Sequence, residues 1–176
     1  MIQFLNKKFE PYIREEELQQ RISELAAQIN SEYHDKELMF VSVLNGAFLF
    51  TADLFRQILS PAEIQFIRVF SYHGTSSSGK INEVMGLNES VKGKHVIVVE
   101  DIVDTGLTIG YIWRTVNAHE PASLKVASLL VKNEVYKGNL KIDYIGFEIP
   151  DRFVVGYGLD YEGLGRNLPQ IYQLKE

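Results

Sequence analysis

Apolar positions along this chain fall at two spacings, and the way the spacings alternate predicts the architecture. In "REEELQQRISELAAQIN", residues 14–30, Leu18, Ile22, Leu25, Ala26 and Ile29 recur at steps of three and four, which places them on one face of an α-helix. Glu15, Glu16 and Glu17 at its front suit the positive end of the helix dipole. The next segment, "ELMFVSVL" at 37–44, is a nearly continuous apolar run, as expected of a strand covered on both faces. "NGAFLFTADLFRQIL" at 45–59 returns to helical spacing, and "EIQFIRVF" at 63–70 alternates as a strand does. "KHVIVVE" at 94–100 reads as a second buried strand, followed by a turn "DIVDTGLT" and a helix whose inner face carries Ile109, Ile112 and Val116. "SLKVASLLV", "DYIGFEI" and "FVVGYGL", beginning at residues 123, 143 and 153, are three further β-rich runs.

Strands alternating with helices predict an α/β fold with a mostly parallel, twisted sheet flanked by helices. In such sheets ligands bind beyond the carboxyl ends of the strands. Attention therefore goes to the turns after "VSVL", "VIVV" and "SLLV".

Composition narrows the reading. A chain of 176 residues with 45% hydrophobic content is expected to form one domain over residues 1–176. With no cysteine, disulfides, thiolate catalysis and Cys-ligated zinc all drop out. "MIQFLNKKFEPY" holds no apolar run of signal-peptide length and no later stretch approaches a membrane span, so a cytoplasmic protein without membrane association is expected. A formal net charge of -5 argues against a broad nucleic-acid-binding face, which needs clustered Lys and Arg.

Two stretches carry candidate phosphate chemistry. "HGTSSSGKI" places Gly74, Gly79 and Lys80 at the G-x-x-x-x-G-K spacing of a phosphate loop. Ile81 stands where that loop needs a Ser or Thr for Mg²⁺, and "INEVMGLNES" after it shows no helical periodicity, so a polar surface loop is the better reading. The second stretch is stronger. After the strand "HVIVV" come Glu100, Asp101 and Asp104, then Thr105, Gly106, Leu107 and Thr108 leading into a helix. Small and hydroxyl-bearing residues at a strand-to-helix turn let backbone N–H groups converge on an anion, and carboxylates beside it can hold Mg²⁺ or sugar hydroxyls. The plainer alternative is that Asp104 or Thr105 only caps the helix. An aspartyl-nucleophile phosphatase is disfavoured, because its two aspartates are separated by one residue and Asp101 and Asp104 by two.

"VVEDIVDTGLT" closely resembles the phosphoribosyl pyrophosphate (PRPP) motif of the type I phosphoribosyltransferases. "SLLVKN", "EIPDRFVVGYGLDY" and "RNLP" are similar, in the same order, to motifs of that family's hypoxanthine-guanine branch. The resemblance runs from about Val41 to Pro169. It implies the type I phosphoribosyltransferase fold, with a small hood formed by terminal segments, and transfer of a phosphoribosyl group to a 6-oxopurine. By resemblance, the Asp104-to-Thr108 turn holds the 5′-phosphate, Glu100 and Asp101 hold ribose hydroxyls and Mg²⁺, and Asp104 is the general base near purine N7. Lys132 would face purine O6, Phe153 would stack on the base and Val154 would offer backbone contacts. Asp160 would meet a second Mg²⁺ and Arg166 the pyrophosphate, together with the turn Leu44, Asn45 and Gly46. Ser71 and Tyr72 would belong to a catalytic loop, 71–80, that closes over the site, which makes the Gly/Lys spacing there a coincidence. A homodimer or homotetramer is expected.

Two departures from the family stand out: Asn45 where many relatives carry a basic residue, and Gly163 and Gly165 where a bulkier segment is common. A competing reading, a PRPP-sensing regulator that binds nucleic acid, predicts an added domain or a basic face, and neither is evident.

Overall fold

A computed structural model describes residues 1–71, 81–87 and 91–175, with side chains placed for all of these except 70, 71 and 81–85. Its main body is a six-stranded sheet. The strands in chain order are β3 (Leu38–Leu44), β4 (Ala62–Ser71), β5 (Ile81–Met85), β6 (His95–Val103), β7 (Ser123–Lys132) and β8 (Tyr144–Ile149). Their spatial order is β5-β4-β3-β6-β7-β8. Five of them run parallel and β5 pairs antiparallel at the edge. Helix α1 (Glu15–Glu32) precedes the sheet, α2 (Phe48–Phe55) follows β3 and α3 (Leu107–Asn117) follows β6.

The continuous apolar strands have the explanation the sequence suggested. Successive side chains of β6 go to opposite faces, so Ile97 and Val99 join a core with Leu18, Ile22, Leu25, Phe50 and Leu54 of α1 and α2. Val96 and Val98 join a second core with Ile109, Ile112 and Val116 of α3. The predicted helix at 45–59 is shorter, because residues 45–47 form the turn out of β3 and regular helix ends at Phe55.

A second sheet, antiparallel, is built from β1 (Ile2–Phe4), β2 (Lys7–Ile13), β9 (Val154–Val155) and β10 (Ile171–Leu174), in the order β1-β2-β10-β9. This is the expected hood of terminal segments. Only two residues of the predicted strand "FVVGYGL" are strand. The rest turns back on itself: Gly156 and Leu159 exchange N–H···O bonds of 3.0 and 3.1 Å around Tyr157 (φ 49°) and Gly158 (φ 99°). Positive φ at both central residues defines a type I′ turn. Tyr161 and Leu164 close a second such turn around Glu162 (φ 51°) and Gly163 (φ 80°). Gly163 thus fits a hairpin that demands it, which accounts for the Gly163 half of the second departure. Hood and main body touch backbone to backbone here, since a Cβ added at Gly158 would lie 2.0 Å from the Gly46 carbonyl oxygen.

Candidate active site

The site follows from strand order. The chain runs outward from β3 to β4, then returns past β3 to β6 and continues to β7, which places a topological switch point between β3 and β6. Pairing of β3 with β6 stops at Ser42 and Val99, although β3 continues to Leu44 and β6 to Val103. The two strands splay there and open a crevice at their carboxyl ends, where ligands bind in such folds.

Strand β6 is longer than the apolar run that predicted it, so Glu100 and Asp101 lie within the strand and the turn begins at Asp104. Glu100 is buried, and its Oε2 has no hydrogen-bond partner among the described residues. Burial first, and the neighbouring Asp101 carboxylate second, push the Glu100 carboxyl well above its usual range. An unpartnered buried carboxyl oxygen is costly unless a cation or hydroxyl meets it. No cluster of three or more His, Cys, Asp or Glu suited to a metal exists among the described residues. The unpartnered Glu100 oxygen beside Asp101 is a donor set that fits Mg²⁺ held through one or two carboxylates plus ligand oxygens, the usual way that ion is bound.

The turn itself is open to an anion. Gly106, at φ 87°, is the N-cap of α3, and no side chain caps the helix. Thr105 Oγ1 lies 3.5 Å from the Leu107 nitrogen, at the limit of a hydrogen bond. Neither Asp104 nor Thr105 therefore serves as the ordinary cap that the plainer reading required. Residues 102–109 enclose a cavity of about 70 Å³ in front of this turn.

A second cavity, of about 170 Å³, is lined by Asp101, Asp104, Lys132, Phe153, Val154 and Asp160, with Ile102, Arg152 and Leu159. Six residues singled out in the sequence, from three separate motifs, line this one cavity. Lys132, 8% exposed at the end of β7, donates to Asp104 Oδ2 at 3.0 Å and to Asp151 Oδ1 at 2.9 Å. Burial works against its charge, but the hydrogen bonds it donates to Asp151 and Asp104 outweigh that and hold its pKa above the usual lysine value. Phe153 is 43% exposed rather than a core aromatic. Its ring is steadied by Tyr161, edge-on at 5.8 Å, and by the Lys7 ammonium 5.2 Å from its centroid.

The remaining residues are arranged as follows. The Leu44–Asn45 peptide is cis, and Gly46 lies against Asp101. Arg166 donates to the Gly158 carbonyl at 2.6 Å and pairs with Asp160 at 2.5 Å, while Asp160 also accepts the Gly163 N–H at 2.7 Å. Both carboxylate oxygens of Asp160 thus have partners within the hood. The side chain of Ser71, and Tyr72 with the rest of 72–80, including the Gly74-to-Lys80 spacing, lie outside the described residues. Asp151, which shares Lys132 with Asp104, did not stand out in the sequence. Its signal was available, since it ends the turn after β8, at the same carboxyl edge of the sheet.

An acidic strand end, an uncapped helix start and a lysine-and-aromatic cavity thus meet at one switch point. A family model, the phosphoribosyl transferase domain, matches residues 13–162, and the chain belongs to that family. Within it the chain is an enzyme of the hypoxanthine-guanine branch. It is 43% identical to the hypoxanthine-guanine phosphoribosyltransferase of Bacillus subtilis, covering 93% of this chain and 91% of that protein. A solved structure of a hypoxanthine-guanine phosphoribosyltransferase from Bacillus anthracis superposes with a TM-score of 0.89, at 40% identity, covering 97% of this chain and all of that one. The hypoxanthine phosphoribosyltransferase of Trypanosoma cruzi, solved in complex with the product IMP, superposes with a TM-score of 0.88 at 38% identity, covering 99% and 98% of the two chains.

Proposed function

We propose that the enzyme transfers the 5-phosphoribosyl group of PRPP to hypoxanthine, guanine or both, giving IMP or GMP and releasing pyrophosphate. The observation that carries this reading is the convergence of Asp104, Lys132, Phe153 and Val154 on one cavity beside the open turn 104–108. The 5′-phosphate sits against the backbone of that turn, facing the start of α3. Ribose hydroxyls are oriented by Glu100 and Asp101. Mg²⁺, when bound through these carboxylates, supplies neutralising charge for the pyrophosphate.

Purine specificity rests on Lys132. Its ammonium has three donors, of which Asp104 and Asp151 take two, leaving one for purine O6. Adenine presents an amino group at that position, so donor meets donor and the base is rejected. As N9 attacks ribose C1, Asp104 accepts or shares the N7 proton, within the reach a general base needs. Phe153 covers one face of the base and Val154 offers its backbone to the purine edge. Asp160 fixes Arg166 in the hood, where the guanidinium is available to pyrophosphate beside Leu44, Asn45 and Gly46. Assembly as a homodimer or homotetramer belongs to the same reading, and sedimentation velocity decides it.

The direct test is incubation with PRPP, Mg²⁺ and each of hypoxanthine, guanine, xanthine and adenine, measuring nucleotide formation. Absence of nucleotide with every 6-oxopurine refutes the reading. Asp104→Asn should lower kcat by about 10²- to 10⁴-fold with a small change in KM, and normal turnover in that variant removes Asp104 from its role.

A further inference from the structure

Packed against the phosphate turn, and not among the residues that line the cavity, stands a residue that no motif identified. Tyr136 packs its ring against Gly106: a Cβ added at Gly106 would lie 2.4 Å from Tyr136 Cε2 and 2.8 Å from Cδ2. From another side the ring is pressed by Gly138, where an added Cβ would meet Cε2 at 2.5 Å and Cζ at 2.7 Å. The tyrosine is held by a hydrogen bond at each end, and its neighbour Val135 adds a third. Its hydroxyl donates to the Leu140 carbonyl at 2.6 Å, while its own N–H and that of Val135 donate to the Lys132 carbonyl at 2.8 and 3.1 Å. The ring is therefore fixed relative to the strand end that carries Lys132, and it closes the back of the turn that carries Gly106.

We propose that Tyr136 is a positioning residue for the 5′-phosphate turn. Gly106 is the left-handed N-cap of α3, so its position sets where the first amides of that helix point. In front of it lies the cavity of about 70 Å³, and behind it a groove of about 660 Å³ that Gly106 and Tyr136 line together with Trp113 and Leu140. With the ring in place the turn cannot sink backward. Without it the groove, which already reaches Gly106, widens behind the turn, and the amides are free to retreat from the phosphate. The tie to Lys132 also means that the purine and phosphate subsites share one rigid part, separated in sequence but joined through residues 132–136.

This inference rests on the reading of residues 104–108 as the phosphate site, and the test separates the two. Affinity for ribose 5-phosphate is measured by calorimetry for the full chain and for Tyr136→Leu, Tyr136→Phe, Gly138→Ala and Thr108→Val, with melting curves for each. Tyr136→Leu should weaken ribose 5-phosphate roughly tenfold or more, on the scale of a misplaced binding group, while leaving the KM for hypoxanthine within about threefold. Tyr136→Phe, which keeps the ring, should restore the affinity. Gly138→Ala should weaken binding by displacing the ring, and should lose that effect in the Tyr136→Leu background, giving a non-additive double-mutant cycle. Wild-type affinity in Tyr136→Leu, or simple additivity in the cycle, overturns the role of Tyr136. Unchanged affinity in Thr108→Val overturns the phosphate reading of the turn and the role of Tyr136 with it. If Tyr136→Leu does not fold, Gly138→Ala decides alone: weakened phosphate binding at an unchanged melting temperature supports the proposal, and unchanged binding overturns it.

Discussion

Replacing Gly46 with alanine would put a methyl carbon 1.5 Å from Asp101 Oδ2 and 2.4 Å from its Cγ. Restoring ordinary contact requires the two groups to part by about 2 Å, and both are tethered. Asp101 Oδ1 accepts the Ile102 N–H at 2.9 Å, and the Gly46 carbonyl is backed by Gly158. Displacement by even about 1 Å in a reacting constellation lowers rate on the order of a hundredfold, equivalent to about 2.7 kcal/mol of lost transition-state stabilisation. Overpacking of this kind destabilises by roughly 1–3 kcal/mol, or about 2–4 °C in Tm per kcal/mol for a chain of this length. The assay is the initial rate of nucleotide formation from PRPP and hypoxanthine at 25 °C, with a melting curve alongside. The loss in kcat/KM should be far larger than the unfolded fraction explains. A kcat/KM within about threefold of wild type, at unchanged Tm, would refute the claim that the turn after β3 and the acidic end of β6 are sterically locked.

Three other expectations concern separate parts of the molecule. Lys132→Ala leaves Asp104 and Asp151 facing each other without a cation, and should raise the hypoxanthine KM at least about tenfold while leaving the PRPP KM within about threefold; equal effects on both would place the lysine elsewhere. Tyr157 donates a hydrogen bond to Asp53 of α2, tying the hood turn to the main body. Tyr157→Phe should lower stability by about 1.5–3 kcal/mol, read from denaturant unfolding, and an unchanged midpoint rejects that tie. Hydrogen bonds from Lys125 and then Tyr144 hold the Glu32 carboxyl below its usual range. That contribution is present at neutral pH and is lost as pH falls through the lowered pKa, so the Tm difference between wild type and Glu32→Gln should be positive near pH 7 and shrink as pH falls below the ordinary glutamate range. A difference independent of pH contradicts the assignment.

The parallel body was legible because its strands are buried on both faces, which leaves continuous apolar runs, while α1 and α3 bury a single stripe. Reading failed where chemistry begins. The apolar run of β6 stops at Glu100, yet the strand continues to Val103, because the backbone keeps pairing with β7 after the side chains turn polar. The hood strands were legible only as terminal segments. In "KKFEPYI" just Phe9 and Ile13 are buried, too few to set a period, and positive φ at Tyr157 and Gly158 breaks a run that looked like strand. The meeting of Asp104, Lys132 and Asp151 joins three turns that are neighbours only once the sheet has formed.

The contact between Gly158 and the Gly46 carbonyl has a bearing on redesign. A joint made of bare main chain contains nothing that substitution can trim, and any side chain added there collides with it, so the angle between cap and body is inherited with the fold. Attempts to retune base preference should therefore work on walls that do carry adjustable groups, such as Arg152 and Leu159, and leave that hinge point untouched.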